Sequence, residues 1–185
     1  MSESGTEPTV LVVTSQTGVE RDELAVPLKR LRDNGIRVTH AAPAAEPVQT
    51  FVHDTERDTT IDPDTTLASV VVSDFDAIVI PGGTVNADKL RVTKEAVDLA
   101  RGFAAAGKTV AAICHGPWLL VEADLIEGRT LTSYPSLRTD IANAGGRWVD
   151  EQVVRTGDDW TLITSRNPDD LDAFCAAITA EVGTG

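Results

Sequence analysis

Apolar residues along this chain fall into two kinds of pattern. Short continuous runs occur at Val10-Leu11-Val12-Val13, Ala77-Ile78-Val79-Ile80 and Val110-Ala111-Ala112-Ile113. Their length and β-branched content are those of strands covered on both faces. Between them, apolar positions recur at helical spacing. Leu24, Leu28 and Leu31 mark a helix from about Glu20 to Asn34, stopped by Gly35, and Ile36-Arg37-Val38-Thr39 reads as the next strand. Helical segments are expected from about Ala87 to Arg91, from Lys94 to Ala106, and from the turn after Ile113 to about Ala123. Thr130-Leu131-Thr132 reads as a further strand, and Pro135 opens a helix to Asn143, ended by Gly145-Gly146. Short strands follow at Trp148-Val149, Val153-Val154 and Trp160-Thr161-Leu162-Ile163. Asn167-Pro168-Asp169-Asp170 then starts a last helix to about Glu181. The polar stretch from Pro43 to about Asp64, alternating at Val48, Thr50 and Val52, reads as a small hairpin off the main sheet.

Alternating strands and helices with short connections predict an α/β fold with a mostly parallel central sheet. At 185 residues and 42% hydrophobic content, one domain over residues 9–182 accounts for the chain. The polar, acidic segment 1–8 reads as a frayed tail without the features of a signal peptide. No apolar run is long enough to span a bilayer, so the expected compartment is the cytoplasm. The net charge of −13, with only four lysines, disfavours nucleic acid and anionic membranes as partners. The two cysteines do not make a disulfide framework, and Cys175 falls on the apolar side of the last helix as an inert core residue. His40, His53 and His115 lack metal-ligand spacing, so no metal is expected, and His40 and His53 read as surface residues.

Chemistry concentrates at Ala112-Ile113-Cys114-His115-Gly116-Pro117, where a buried strand ends in a tight turn and a helix begins. A thiol there lies near free backbone N–H groups and a helix dipole, which favour the thiolate and hence a nucleophile. In an open α/β sheet, ligands bind beyond the carboxyl ends of the strands. The turn before Glu20, the Pro81-Gly82-Gly83 turn and the Cys114 turn all fall there.

These residues resemble the PfpI-type endopeptidase family, in the superfamily of the Parkinson's-associated deglycase within the class I glutamine amidotransferase-like fold. The resemblance is carried by the Cys114-His115-Gly116-Pro117 elbow and by Asp76-Ala77-Ile78-Val79-Ile80-Pro81-Gly82-Gly83. Thr132-Ser133-Tyr134-Pro135, Asn143-Ala144-Gly145-Gly146 and the segment from Thr164 to Leu171 also match, so that it spans nearly the whole chain. It implies a flavodoxin-like three-layer sandwich with Cys114 as nucleophile and Glu20 as the acidic residue beside it. It further implies His115 paired with a carboxylate of a neighbouring subunit, here Asp88, and therefore a homo-oligomer with the site near the subunit interface. The amides of Gly83 and His115 would hold a developing oxyanion. Trp118 stands where many relatives carry Gln.

The activity that follows is that of a cofactor-independent cysteine enzyme acting on 2-oxoaldehydes or glycated amines, of glyoxalase or deglycase type. In it a protonated Glu20 moves protons beside the sulfur. The alternatives are an intracellular cysteine peptidase, with His115 as base, and a non-enzymatic redox-sensing stress protein. A glutamine amidotransferase would need a later histidine, and none follows His115.

Overall fold

The computed structural model describes residues 7–183. Most of the expected N-terminal tail (residues 1–6) lies outside them. Pro8 is already tied in, its carbonyl accepting from Arg37 N–H at 2.9 Å.

The chain opens with β1 (Thr9–Val13), β2 (Thr17–Glu20) and α1 (Arg21–Asp33), followed by β3 (Arg37–Ala42). The hairpin β4 (Val48–Val52) and β5 (Glu56–Ile61) comes next, then the short β6 (Thr65–Thr66) and β7 (Ala77–Ile80). Helices α2 (Thr84–Arg91) and α3 (Lys94–Ala105) lead to β8 (Thr109–Ile113) and α4 (Pro117–Glu122). The last part holds β9 (Thr130–Leu131), α5 (Arg138–Asn143), β10 (Arg147–Trp148), β11 (Val153–Thr156), β12 (Leu162–Ser165) and α6 (Leu171–Val182).

Seven strands form the central sheet in the order β11-β12-β8-β7-β1-β3-β6, parallel throughout except for β11 against β12. The period-two alternation of a strand divides its side chains between two cores. Leu11, Val13, Ile78, Ile80, Val110 and Ala112 face the core that holds Phe103, Leu119 and Leu120 of α3 and α4. Val10, Val12, Ala77, Val79, Ala111 and Ile113 face the one under Leu24, Leu31, Phe174 and Ile178 of α1 and α6. The apolar runs are continuous because both faces are covered, and the architecture is the three-layer α/β sandwich expected from the sequence.

Several local expectations change. Strand β2 was not visible in the sequence. It pairs in parallel with β4 and converts the expected hairpin into a three-stranded sheet. Its register shifts between Thr17 and Val19, where Gly18 takes φ +91°, so the pattern carries no clean alternation. Helix α2 starts at Thr84, earlier than its apolar pattern suggests, because Gly83 turns the chain at φ +89° and accepts the first helical bond from Ala87 N–H. Thr130 and Leu131 pair with Arg147 and Trp148 outside the main sheet. The helix expected from Pro135 begins as a 3-10 turn over Pro135–Leu137 before α5. Asn167 caps the last helical segment as expected, accepting from Asp169 N–H at 2.9 Å. No helix among the described residues is long and apolar enough to cross a membrane.

His40 is not a surface residue. It sits on β3, 1% exposed, with Nε2 2.8 Å from Thr14 Oγ1. Burial lowers its pKa to about 4, against the opposing pull of Asp64. The unfolded chain binds a proton near pH 6.5 that the folded chain refuses until about pH 4, so this group's stabilising contribution is present above pH 6.5 and lost as pH falls. The loss amounts to about 3 kcal/mol at most over that interval. Urea unfolding from pH 7 to pH 4 should show wild type losing more stability than His40→Gln by up to that amount. Parallel curves for the two proteins would contradict a buried neutral imidazole.

Candidate active site

The carboxyl ends of β1, β7 and β8 deliver three turns to one place. The first runs into β2 and α1, and Asn86 of α2 locks it to the second. Asn86, fully buried, accepts from Ser15 N–H at 2.7 Å and donates to the Pro81 and Gly82 carbonyls at 3.1 and 3.0 Å. The third turn places Cys114 at φ +62°, a left-handed conformation that a non-glycine residue adopts at a cost. It is held by Cys114 N–H to the Ser165 carbonyl at 3.0 Å and by Tyr134 N–H to the Cys114 carbonyl at 2.8 Å. Two glycines make room. A Cβ on Gly82 would stand 2.5 Å from Glu23 Oε2 and 2.7 Å from Cys114 Cβ, and one on Gly116 would stand 2.5 Å from the Ile80 carbonyl oxygen.

The carboxyl group at the sulfur is that of Glu23, not Glu20. Glu23 occupies the first turn of α1, is fully buried, and stands beside Cys114, its Oε2 and Cys114 Cβ crowding the same side of Gly82. Its Oε2 accepts from Gly82 N–H at 2.6 Å, and its Oε1 has no hydrogen-bond partner among the described residues. Burial pushes the Glu23 carboxyl well up, opposed by the Gly82 amide and the thiol. Burial also pushes the Cys114 thiol up, and the Glu23 charge adds to it, while the nearby Gly83 and His115 amides pull it down. Two adjacent anions in so dry a place are mutually prohibitive, so the pair holds at most one negative charge, and burial favours the neutral form of the Glu23 carboxyl. The thiolate expected from the turn alone is therefore not the favoured resting form, since burial outweighs the two amides.

Glu20 ends β2 three residues earlier, on the same face. Its carboxylate accepts from His53 N–H at 3.2 Å and Asp54 N–H at 3.3 Å, fixing a turn whose residues take φ +52° and +62°. His115 Nδ1 lies 3.2 Å from Cys114 Sγ. Its ring is stacked on Tyr134 at 4.7 Å and meets Trp118 edge-on at 5.3 Å. Burial lowers its pKa and Asp54 opposes this, so the ring is neutral near pH 7. The carboxylate acting on His115 within the chain is thus Asp54. Asp88 is exposed on α2. Trp118 is turned aside, donating to Asp140 Oδ2 at 2.8 Å.

A cavity of about 180 Å³ opens onto the sulfur, lined by Glu20, Glu23, His53, Asp54, Cys114, Tyr134 and Pro168. Cys114, Gly83 and His115 come together here, and the Gly83 and His115 amides act on the sulfur. Glu23 and Asp54 escaped sequence reasoning. A signal existed for Glu23: together with Leu24, Pro27, Leu28 and Leu31 it lies on the buried stripe of α1, where a charged residue is anomalous. None existed for Asp54, which reaches the site from a separate sheet.

Comparison with known proteins identifies the family of the fold. The model of the DJ-1/PfpI family matches residues 8–181. The chain is 37% identical over 164 residues to a protein named deglycase PfpI from Pyrococcus furiosus, covering 89% of this chain and 93% of the relative. It is 45% identical over 111 residues to protein/nucleic acid deglycase 2 of Escherichia coli, covering 60% of this chain and 63% of that one. Among solved structures, Drosophila melanogaster DJ-1beta superposes with a TM-score of 0.86 at 34% identity, over 97% of this chain and 92% of that one. From the apolar strands to the cysteine elbow and its buried glutamate, this chain belongs to the DJ-1/PfpI family.

Proposed function

We propose that this protein is a cysteine enzyme of glyoxalase or deglycase type, acting on small 2-oxoaldehydes such as methylglyoxal or on their adducts with amines. The observation that carries the reading is the buried Cys114–Glu23 pair, restricted to one negative charge, at the floor of a small cavity. The thiol proton passes to His115 Nδ1 as the sulfur adds to the aldehyde carbon. The carbonyl oxygen gains the electron pair beside the Gly83 and His115 amides, and a returning proton completes a hemithioacetal. Glu23 and His115 then carry the proton that moves between adjacent carbons, and water releases the hydroxy acid. The deglycase names of the relatives support the carbonyl-adduct branch.

Cavity size favours this over peptide hydrolysis. A cavity of about 180 Å³ with Cys114 in its lining suits a small carbonyl compound better than a length of polypeptide. The homo-oligomer stays part of the proposal, with exposed Asp88 available to a neighbouring copy; a strictly monomeric protein by light scattering would remove Asp88 from the site.

Cys114→Ser should abolish conversion of methylglyoxal to lactate and release of glycated peptide, with casein uncleaved by either protein. Undiminished conversion by the serine variant would overturn the reading. Glu23→Gln retains an acceptor for the Gly82 amide but loses the mobile proton. It should lower kcat by roughly 10²–10⁴-fold. It should also be more stable than wild type, by a margin that grows as pH rises from about 4.5. Only the wild type must either hold a buried proton against solution or ionise in the core. Equal stability of the two proteins from pH 5 to pH 9 would show that Glu23 is not held protonated.

A further inference from the structure

We infer that Asp54 and Thr84 act as positioning residues that fix the tautomer of His115, leaving Nδ1 bare to receive the Cys114 proton. The inference rests on the reading of Cys114 as a nucleophile. It adds an orienting device contained wholly within one chain.

The tautomer follows from the number of protons available around Nε2. Asp54 Oδ2 lies 2.9 Å from Thr84 Oγ1, and Asp54 Oδ1 accepts from Thr84 N–H at 2.7 Å. A carboxylate only accepts, so the single hydroxyl proton of Thr84 is committed to Asp54. Thr84 Oγ1 also lies 3.4 Å from His115 Nε2 and, having spent its proton, meets that nitrogen as an acceptor. The ring is neutral and carries one N–H, which this contact draws to Nε2. Nδ1 is then a lone pair 3.2 Å from the sulfur. The Asp54 charge favours the same end of the ring, and favours the imidazolium once the thiol proton arrives.

The competing arrangement is on the same ring. Ser136 Oγ lies 3.3 Å from Nε2, and if its hydroxyl donates there the proton sits on Nδ1, facing the sulfur, where it cannot act as a base. Asp54 also has an ordinary structural use, since its bond to Thr84 N–H caps α2. Two features separate positioning from capping. Glu20 holds the backbone of the Asp54 turn whatever the side chain does. Thr84→Val removes only the hydroxyl and leaves the N–H bond to Asp54 in place.

The experiment is proton–nitrogen NMR of the imidazole rings in wild type, Thr84→Val, Thr84→Ser and Asp54→Asn at neutral pH. His115 is assigned by its absence in His115→Gln. In parallel, the rate of Cys114 alkylation by iodoacetamide is followed by mass spectrometry. Wild type and Thr84→Ser should show a protonated Nε2 and an unprotonated Nδ1. Thr84→Val and Asp54→Asn should show Nδ1–H, with alkylation slowed roughly 10²-fold, at the low end of general-base effects. A wild-type ring protonated at Nδ1, or a Thr84→Val ring and alkylation rate unchanged from wild type, would overturn the inference. Neither readout uses a carbonyl substrate. Inactivity toward methylglyoxal with the expected tautomers would therefore count against the proposed function and leave this inference standing.

Discussion

A carboxylic acid and a thiol share a water-poor pocket that tolerates at most one charge between them, and most of the local structure serves that contact. Glu23 is carried in by the first turn of α1, and Cys114 by the turn after β8. Neither element could bring its group so close if Gly82 had a side chain, because that side chain would occupy the space between them. Asn86 holds the Gly82 turn by two hydrogen bonds and ties it to Ser15 by a third from a fully buried position, so the gap is set by a rigid contact and not by chance packing. The left-handed backbone at Cys114 is sustained by bonds at both its N–H and its carbonyl. Strain at one residue is thus balanced by a closely satisfied surround.

Electrostatics, more than helix geometry, governs the thiol. Two nearby amides pull the thiol pKa down, yet desolvation and the neighbouring carboxyl prevail over them. A nucleophile held as the thiol until a base takes its proton is consistent with a neutral His115 in contact with it and a carboxylate, Asp54, placed behind that ring.

How much of this could be read from the chain depends on the range of the interaction. The β1, β7 and β8 runs declared themselves because both faces of a parallel sheet are covered, and the Cys114 elbow because a strand, a Gly-Pro step and a helix follow one another directly. The acidic partner was expected at Glu20 and found at Glu23. Both lie on one face of the helix start, three residues apart, and the glycine bulge in β2 disturbs any count from β1. The apolar stripe containing Pro27 and Leu31 did mark Glu23, since a carboxyl on that stripe is forced into the core. Asp54 is different in kind. It lies 30 residues from Thr84 on a sheet separate from the central one, and only tertiary structure brings the two together. His40 shows the same limit: an unremarkable polar position on β3 is buried where Thr14, in the turn after β1, meets its ring and Asp64, just before β6, bonds its backbone.

The protonation of Glu23 is open to direct observation by infrared difference spectroscopy of wild type against Glu23→Gln at neutral pH. A protonated-carboxyl carbonyl band should be present in wild type, absent from the variant, and shifted when Cys114 is alkylated. A wild-type spectrum in which Glu23 contributes only ionised-carboxylate bands would contradict the account at its base.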